Sequence, residues 1–131
     1  MRLQRDGYAL AYDVSGDGPD VVFAHALGLD RSIWDDVVAQ FPGHRCIRLD
    51  MRGHGQSDAP DGPYRMGGLI GDAEVVCDEL KVRDAVFVGL SVGGMIGQGL
   101  AVKRLDLLRG LVLSNTAAKF GQPGPWHDRA A

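Results

Sequence analysis

Positive charge is not in excess: 14 Lys and Arg stand against 17 Asp and Glu, a net charge of −3. That balance removes the electrostatic footprint of a nucleic-acid binder and gives no basis for a polybasic membrane contact. Cysteine is scarce. Cys46 and Cys77 have neither CxxC nor metal-ligand spacing, and both lie in apolar segments. This excludes a disulfide scaffold and leads us to expect two free buried thiols in a reducing compartment, the cytoplasm. No His, Cys, Asp or Glu cluster has the spacing of a metal site. No lysine follows a glycine-rich turn as it would in a phosphate-binding loop. The stretch Met1 to Tyr12 lacks the apolar core of a signal peptide. The uncharged run 85–102 contains five glycines together with Ser91 and Gln98, a poor composition for a lipid-spanning helix. There is no internal repeat and no low-complexity tract.

What is present is one domain's worth of chain. At 131 residues, 45% hydrophobic and 24% charged, it can bury a core and is not a disordered segment. Glycine is abundant, with 19 residues against a usual share of roughly 7%. Residues 2–14 read as two short strands around Asp6-Gly7, followed by a loop at Ser15 to Pro19. Val21 to Ala24 is a short apolar run, as in a strand buried on both faces. Ser32 with Asp35 predicts a helix start, with Trp34, Val37, Val38 and Phe41 as its apolar face and Pro42-Gly43 as its end. Arg45 to Leu49 reads as a strand, and Asp50 to Pro63 as a long loop. Met66, Leu69, Ile70, Ala73, Val76, Cys77 and Leu80 recur at helical spacing. Ala85 to Val88 reads as a strand, Ser91 to Lys103 as a helix and Leu111 to Leu113 as a last strand. Alternating strands and helices imply an α/β fold, a parallel sheet flanked by helices. Ligands in such sheets bind beyond the carboxyl ends of the strands.

Three segments following strands therefore carry the candidate chemistry. Gly89-Leu90-Ser91-Val92-Gly93 joins a strand to a helix and fits G-x-S-x-G, a sharp turn that exposes a nucleophilic serine. The neighbouring backbone leaves no room for side chains at Gly89 and Gly93. The helix end adds partial positive charge, and the Val92 N–H is placed to meet an oxyanion. His25-Ala26-Leu27-Gly28 follows the preceding apolar strand. It is positioned to give the second oxyanion donor, the Leu27 N–H, with the Ala26 N–H as the next choice, and His25 and Gly28 shaping the loop. Asp50-Met51-Arg52-Gly53-His54-Gly55-Gln56-Ser57 follows the next strand and reads as a shaped turn, with Asp50 and Arg52 pairing locally. His44 reads as surface. His127 lies in the tail.

In this order, His25-x-x-Gly28, Asp50-x-Arg52-Gly53-His54-Gly55-x-Ser57 and the Ser91 turn resemble the α/β-hydrolase superfamily. The segment Gly89 to Ala101 is similar to the bacterial 3-oxoadipate enol-lactonases. So is Leu113 to Lys119, with Trp126 and Arg129 beyond it. Enol-lactonases often carry Asn-Ser-Leu-Gly where this chain has His25-Ala26-Leu27-Gly28, a form common in general esterases. The resemblance implies the N-terminal half of an α/β-hydrolase fold. Residues 1–118 would belong to the core domain, and 119–131 to the start of a cap region or tail. It implies Ser91 as nucleophile, no cofactor, no metal, and a small ester or lactone as substrate. The family's acid and histidine follow later strands. A second polypeptide carrying the C-terminal half is therefore the expected partner. General carboxylesterases, lactamases and cofactor-free perhydrolases share every residue named, and a non-catalytic remnant or binding module is the reading from another class.

Overall fold

The structure, a computed structural model, describes residues 1–117. Its opening hairpin turns at Asp6 and Gly7, with φ of 43° and 88°, as a two-residue turn matched to strand twist requires. It joins β1 (Arg2–Arg5) to β2 (Tyr8–Ser15), antiparallel, with Arg5 opposite Tyr8. Four further strands follow: β3 (Asp20–Ala24), β4 (Arg45–Leu49), β5 (Ala85–Leu90) and β6 (Leu108–Ser114). The sheet order is β1-β2-β4-β3-β5-β6, with β3 to β6 mutually parallel and β2 antiparallel to β4. Strand β6, read from its apolar centre as three residues, spans seven because Leu108 and Gly110 already pair with β5.

Chain order places β4 on one side of β3 and β5 on the other. The connections diverge there, and such a switch point leaves a crevice beyond the strand ends. Register makes the crevice level: Ala24, the last residue of β3, stands opposite Leu49 of β4 and Gly89 of β5. The loop after β3, the long loop after β4 and the turn after β5 thus leave the sheet side by side.

Helices α2 (Met66–Glu79) and α3 (Val92–Lys103) close one face. Val22, Ile47, Phe87, Ile96 and Leu100 are buried between layers there. The opposite face is thinly covered. A helix running from Ser32 to Phe41 is predicted by the spacing of its apolar residues, but the structure holds only a 3-10 turn (Arg31–Trp34) and a single-turn α1 (Asp35–Val38). The cap is Asp30, whose carboxylate accepts the Ser32 N–H at 2.8 Å. Beyond Val38, Gln40 and Phe41 make tight bonds to residues three back rather than extending the helix. Trp34 packs on Phe23 (ring centroids 5.2 Å), but Val37 and Phe41 stay exposed. With Val21, Val86, Val88 and Val112 they line an open apolar groove of about 360 Å³. Cys46 and Cys77 are free and buried. Among the described residues no helix is long and apolar enough to cross a membrane.

Candidate active site

Ser91 sits between β5 and α3 with φ 57° and ψ −116°. That lies outside every region an L-residue occupies without strain. The surroundings over-determine it. Its N–H donates to Ser114 O at 2.9 Å, and its carbonyl accepts the Thr116 hydroxyl at 2.6 Å and the Gly94 N–H at 2.9 Å. Packing beneath the turn is backbone on backbone. A Cβ at Gly89 would lie 2.5 Å from Gly93 C and O. One at Gly93 would lie 2.2 Å from Ala24 O and 2.8 Å from His25 O. Glycine at both positions lets the first turn of α3 press against the end of β3, which brings the serine turn up to the loop beginning at His25.

That loop turns back on itself. Leu29 N–H donates to Ala26 O at 3.2 Å, and Gly28 at φ 82° is its one positive-φ residue. Positive φ at the third turn position alone defines a type II turn. Leu27 and Gly28 are exposed at its tip. Val92, as the first residue of α3, has no carbonyl in its own helix to bond. Among the described residues neither its N–H nor that of Leu27 has an acceptor. Two backbone donors thus stand without an acceptor among the described residues beyond the ends of the adjacent strands β3 and β5.

His25 is fully buried. Its Nε2 accepts the Met51 N–H at 3.0 Å, so its Nδ1 is the protonated nitrogen and donates to Ala26 O at 2.7 Å. Burial, more than any neighbouring charge, pushes its pKa below the ordinary histidine value, and the ring stays neutral in its pocket. His54 is half-buried. Its Nε2 accepts the Gly28 N–H at 2.9 Å, and Nδ1 is 3.0 Å from Arg52 O.

The long loop differs from the sequence reading in its ion pairs. Asp50 does not pair with Arg52. The buried Asp50 carboxylate accepts the Arg31 and Gln56 N–H groups at 2.8 and 2.9 Å and pairs with the Arg31 guanidinium. Arg52 points the other way, over the Tyr8 ring, and reaches Asp72 of α2 by two bonds of 2.6 and 2.8 Å. Arg5 and the Tyr8 hydroxyl converge on the same carboxylate. The hydrogen bond to Asp72 leads the causes that raise the Arg52 pKa. Asp72 is a residue the sequence reading missed. Its signal was an acid on the apolar stripe of α2, between Leu69 and Val76. Ser114 and Thr116 carried no such signal. Met51, Arg52 and their neighbours are further tied to β2 by Asp50 N–H to Ala11 O and Asp58 N–H to Ala9 O. The loop is therefore a braced rim.

His44 is half-buried at the opposite end of β4 and packs edge-on against Phe41 at 5.6 Å. His127 lies outside the described residues. Among the described residues no group of His, Cys, Asp and Glu is arranged to hold a metal ion.

A family profile described as alpha/beta hydrolase fold matches residues 19–129. The chain is 38% identical over 131 residues to 3-oxoadipate enol-lactonase 2 of Acinetobacter baylyi, covering 98% of this chain and 49% of that protein. The crystal structure of the enol-lactonase from Burkholderia xenovorans superimposes with a TM-score of 0.93 at 39% identity, covering 99% of this chain and 52% of the other. A hydrolase from Pseudomonas aeruginosa gives 0.91 at 38%, covering 98% and 50%. The chain spans about half the length of the relatives it matches.

Proposed function

From a chain that belongs to the alpha/beta hydrolase family, we propose the nucleophile-bearing half of a serine hydrolase of small esters or lactones, 3-oxoadipate enol-lactone foremost. The observation that carries this reading is the Ser91 backbone, held at φ 57° and ψ −116° at the switch point of the sheet. Such strain persists only where surrounding structure maintains it, and it clusters at functional sites.

In this reading Ser91 Oγ attacks the carbonyl carbon. Its proton passes to a histidine base, oriented by an acid. The Val92 and Leu27 N–H groups stabilise the oxyanion. Collapse expels the leaving oxygen, protonated by the histidine, and water then cleaves the acyl-serine by the same steps. His25 is unsuited as that base, because both its ring nitrogens are engaged in the loop. The base and acid come from the C-terminal half of the fold, after β6, carried by a second polypeptide. Oxyanion stabilisation and binding alone would leave about 10³–10⁴ over water. The two free buried thiols support a cytoplasmic setting.

The test is a substrate panel on the complete enzyme with Ser91→Ala beside it. The expected result is enol-lactone turnover above p-nitrophenyl acetate turnover, abolished by the substitution. Preference for the acetate would reassign the protein to general carboxylesterases. Turnover retained in Ser91→Ala would overturn the nucleophile. Failure of wild-type Ser91 to react with a fluorophosphonate would favour a non-catalytic remnant.

A further inference from the structure

We propose that His54 is a positioning residue for the loop that carries the Leu27 N–H: its neutral imidazole, protonated on Nδ1, locks the peptide between Leu27 and Gly28. The two histidines at this rim form a reciprocal clasp. His25, from the loop after β3, accepts a backbone N–H from the loop after β4, at Met51. His54, from the loop after β4, accepts a backbone N–H from the loop after β3, at Gly28. In each ring a carbonyl of its own loop, Ala26 O or Arg52 O, holds the Nδ1 hydrogen. A backbone N–H can only donate, so each Nε2 must carry a lone pair. The rings lie 5.1 Å apart, tilted by 50°.

The bond falls at a sensitive place. The Leu27–Gly28 peptide is the central peptide of the type II turn, and type I and type II differ by a flip of that peptide. Leu27 and Gly28 are exposed, and Gly28 has no neighbour within 4 Å of where a side chain would begin, so no packing on the Cα of Gly28 opposes the flip. The turn's own Leu29 to Ala26 bond, at 3.2 Å, is compatible with either form. The His54 bond is compatible with only one. By selecting the turn, His54 fixes the peptide that follows Leu27 and the direction of the Leu27 carbonyl, and so braces from its far side the residue whose N–H lies on the preceding peptide. The loop's consequence for turnover rests on the hydrolase reading above; the hydrogen bond does not.

Two measurements test it. The first is amide exchange and histidine ¹⁵N spectroscopy on the 131-residue chain. The expected result is Nδ1–H at both rings and a protected Gly28 amide. In His54→Ala, Gly28 protection should fall at least tenfold while that of Met51 is kept. His54→Gln, whose side-chain carbonyl reaches the Nε2 position, should restore protection. An unprotected Gly28 in the wild type, or an Nε2–H His54, overturns the proposal. The second measurement is kinetics in the complete enzyme. His54→Ala should lower kcat about tenfold with KM little changed, a fraction of the 10²–10³ lost when an oxyanion donor is removed outright, and His54→Gln should recover it. Faster Gly28 exchange with unchanged kcat overturns the positioning role. A wild type inactive on every ester, with the exchange pattern as expected, sinks the hydrolase reading alone.

Discussion

The two turns that meet at the candidate site are held by different physics. The Ser91 turn is fixed mainly by backbone contact: glycines with no space for a Cβ and main-chain hydrogen bonds, with the Thr116 hydroxyl as its one side-chain brace among the described residues. The His25–Leu29 turn is exposed at its tip and held by two imidazoles. The first device is rigid and insensitive to solution conditions. The second depends on side-chain hydrogen bonds. A serine turn placed by sterics thus sits beside a loop placed by imidazoles, and the two can be broken separately.

The largest effect is expected from Gly93→Ala. Its Cβ would stand 2.2 Å from Ala24 O, with no flexible side chain to yield. The substitution should cost about 3 kcal/mol or more, or abolish folding, by the criteria for overpacked sites. Urea titration measures it, and a loss below about 1 kcal/mol would show that the serine turn can shift. His25→Ala comes next, removing two hydrogen bonds and leaving a buried void, for a loss of about 2–4 kcal/mol.

The same histidine makes the comparison depend on pH. A base with a folded pKa below its ordinary value of 6.5 contributes stability that is present in full above that value. It is lost as pH falls through the folded pKa. Stability should therefore drop on acidification below about 6.5, and the His25 part of that slope should vanish in His25→Asn. An unchanged slope would remove His25 from the account. Ser91→Gly should act in the opposite sense and raise stability by about 1–2 kcal/mol, because glycine bears the same dihedrals without strain. A destabilised Ser91→Gly would mean that the hydroxyl, not the backbone, supports the turn. Smallest is Gly28→Ala, where φ of 82° is disfavoured but the space is open. About 1 kcal/mol is expected, seen as a small shift in thermal midpoint.

The difference between these turns also explains what could be read from the sequence. The Ser91 turn is local chemistry. Gly89, Ser91 and Gly93 sit within five residues, and their flanking strand and helix are visible as apolar runs. The alternation of elements likewise implies the parallel sheet and the strand ends where the site lies. The His54–Gly28 bond is invisible because it depends on register: β3 and β4 must end level, Ala24 beside Leu49, before two loops 26 residues apart can meet. Asp50 and Arg52 fail as a local pair for a related reason. The chain after β4 runs along β2, and its two charged side chains face different neighbours, Arg31 and Asp72. The helix expected after Ser32 shows the limit of periodicity. Its apolar spacing is right, but Asp30 caps earlier and the coil tightens after Val38.

Residues 114–117 are stitched to the serine turn by Ser114 O, the Thr116 hydroxyl and the Gln98 bond to Ala117 O at 3.2 Å. The consequence is mechanical coupling: displacing residues 114–116 would remove the hydrogen bonds that hold Ser91 at its strained dihedrals, so the end of β6 and the serine turn stand or fall together.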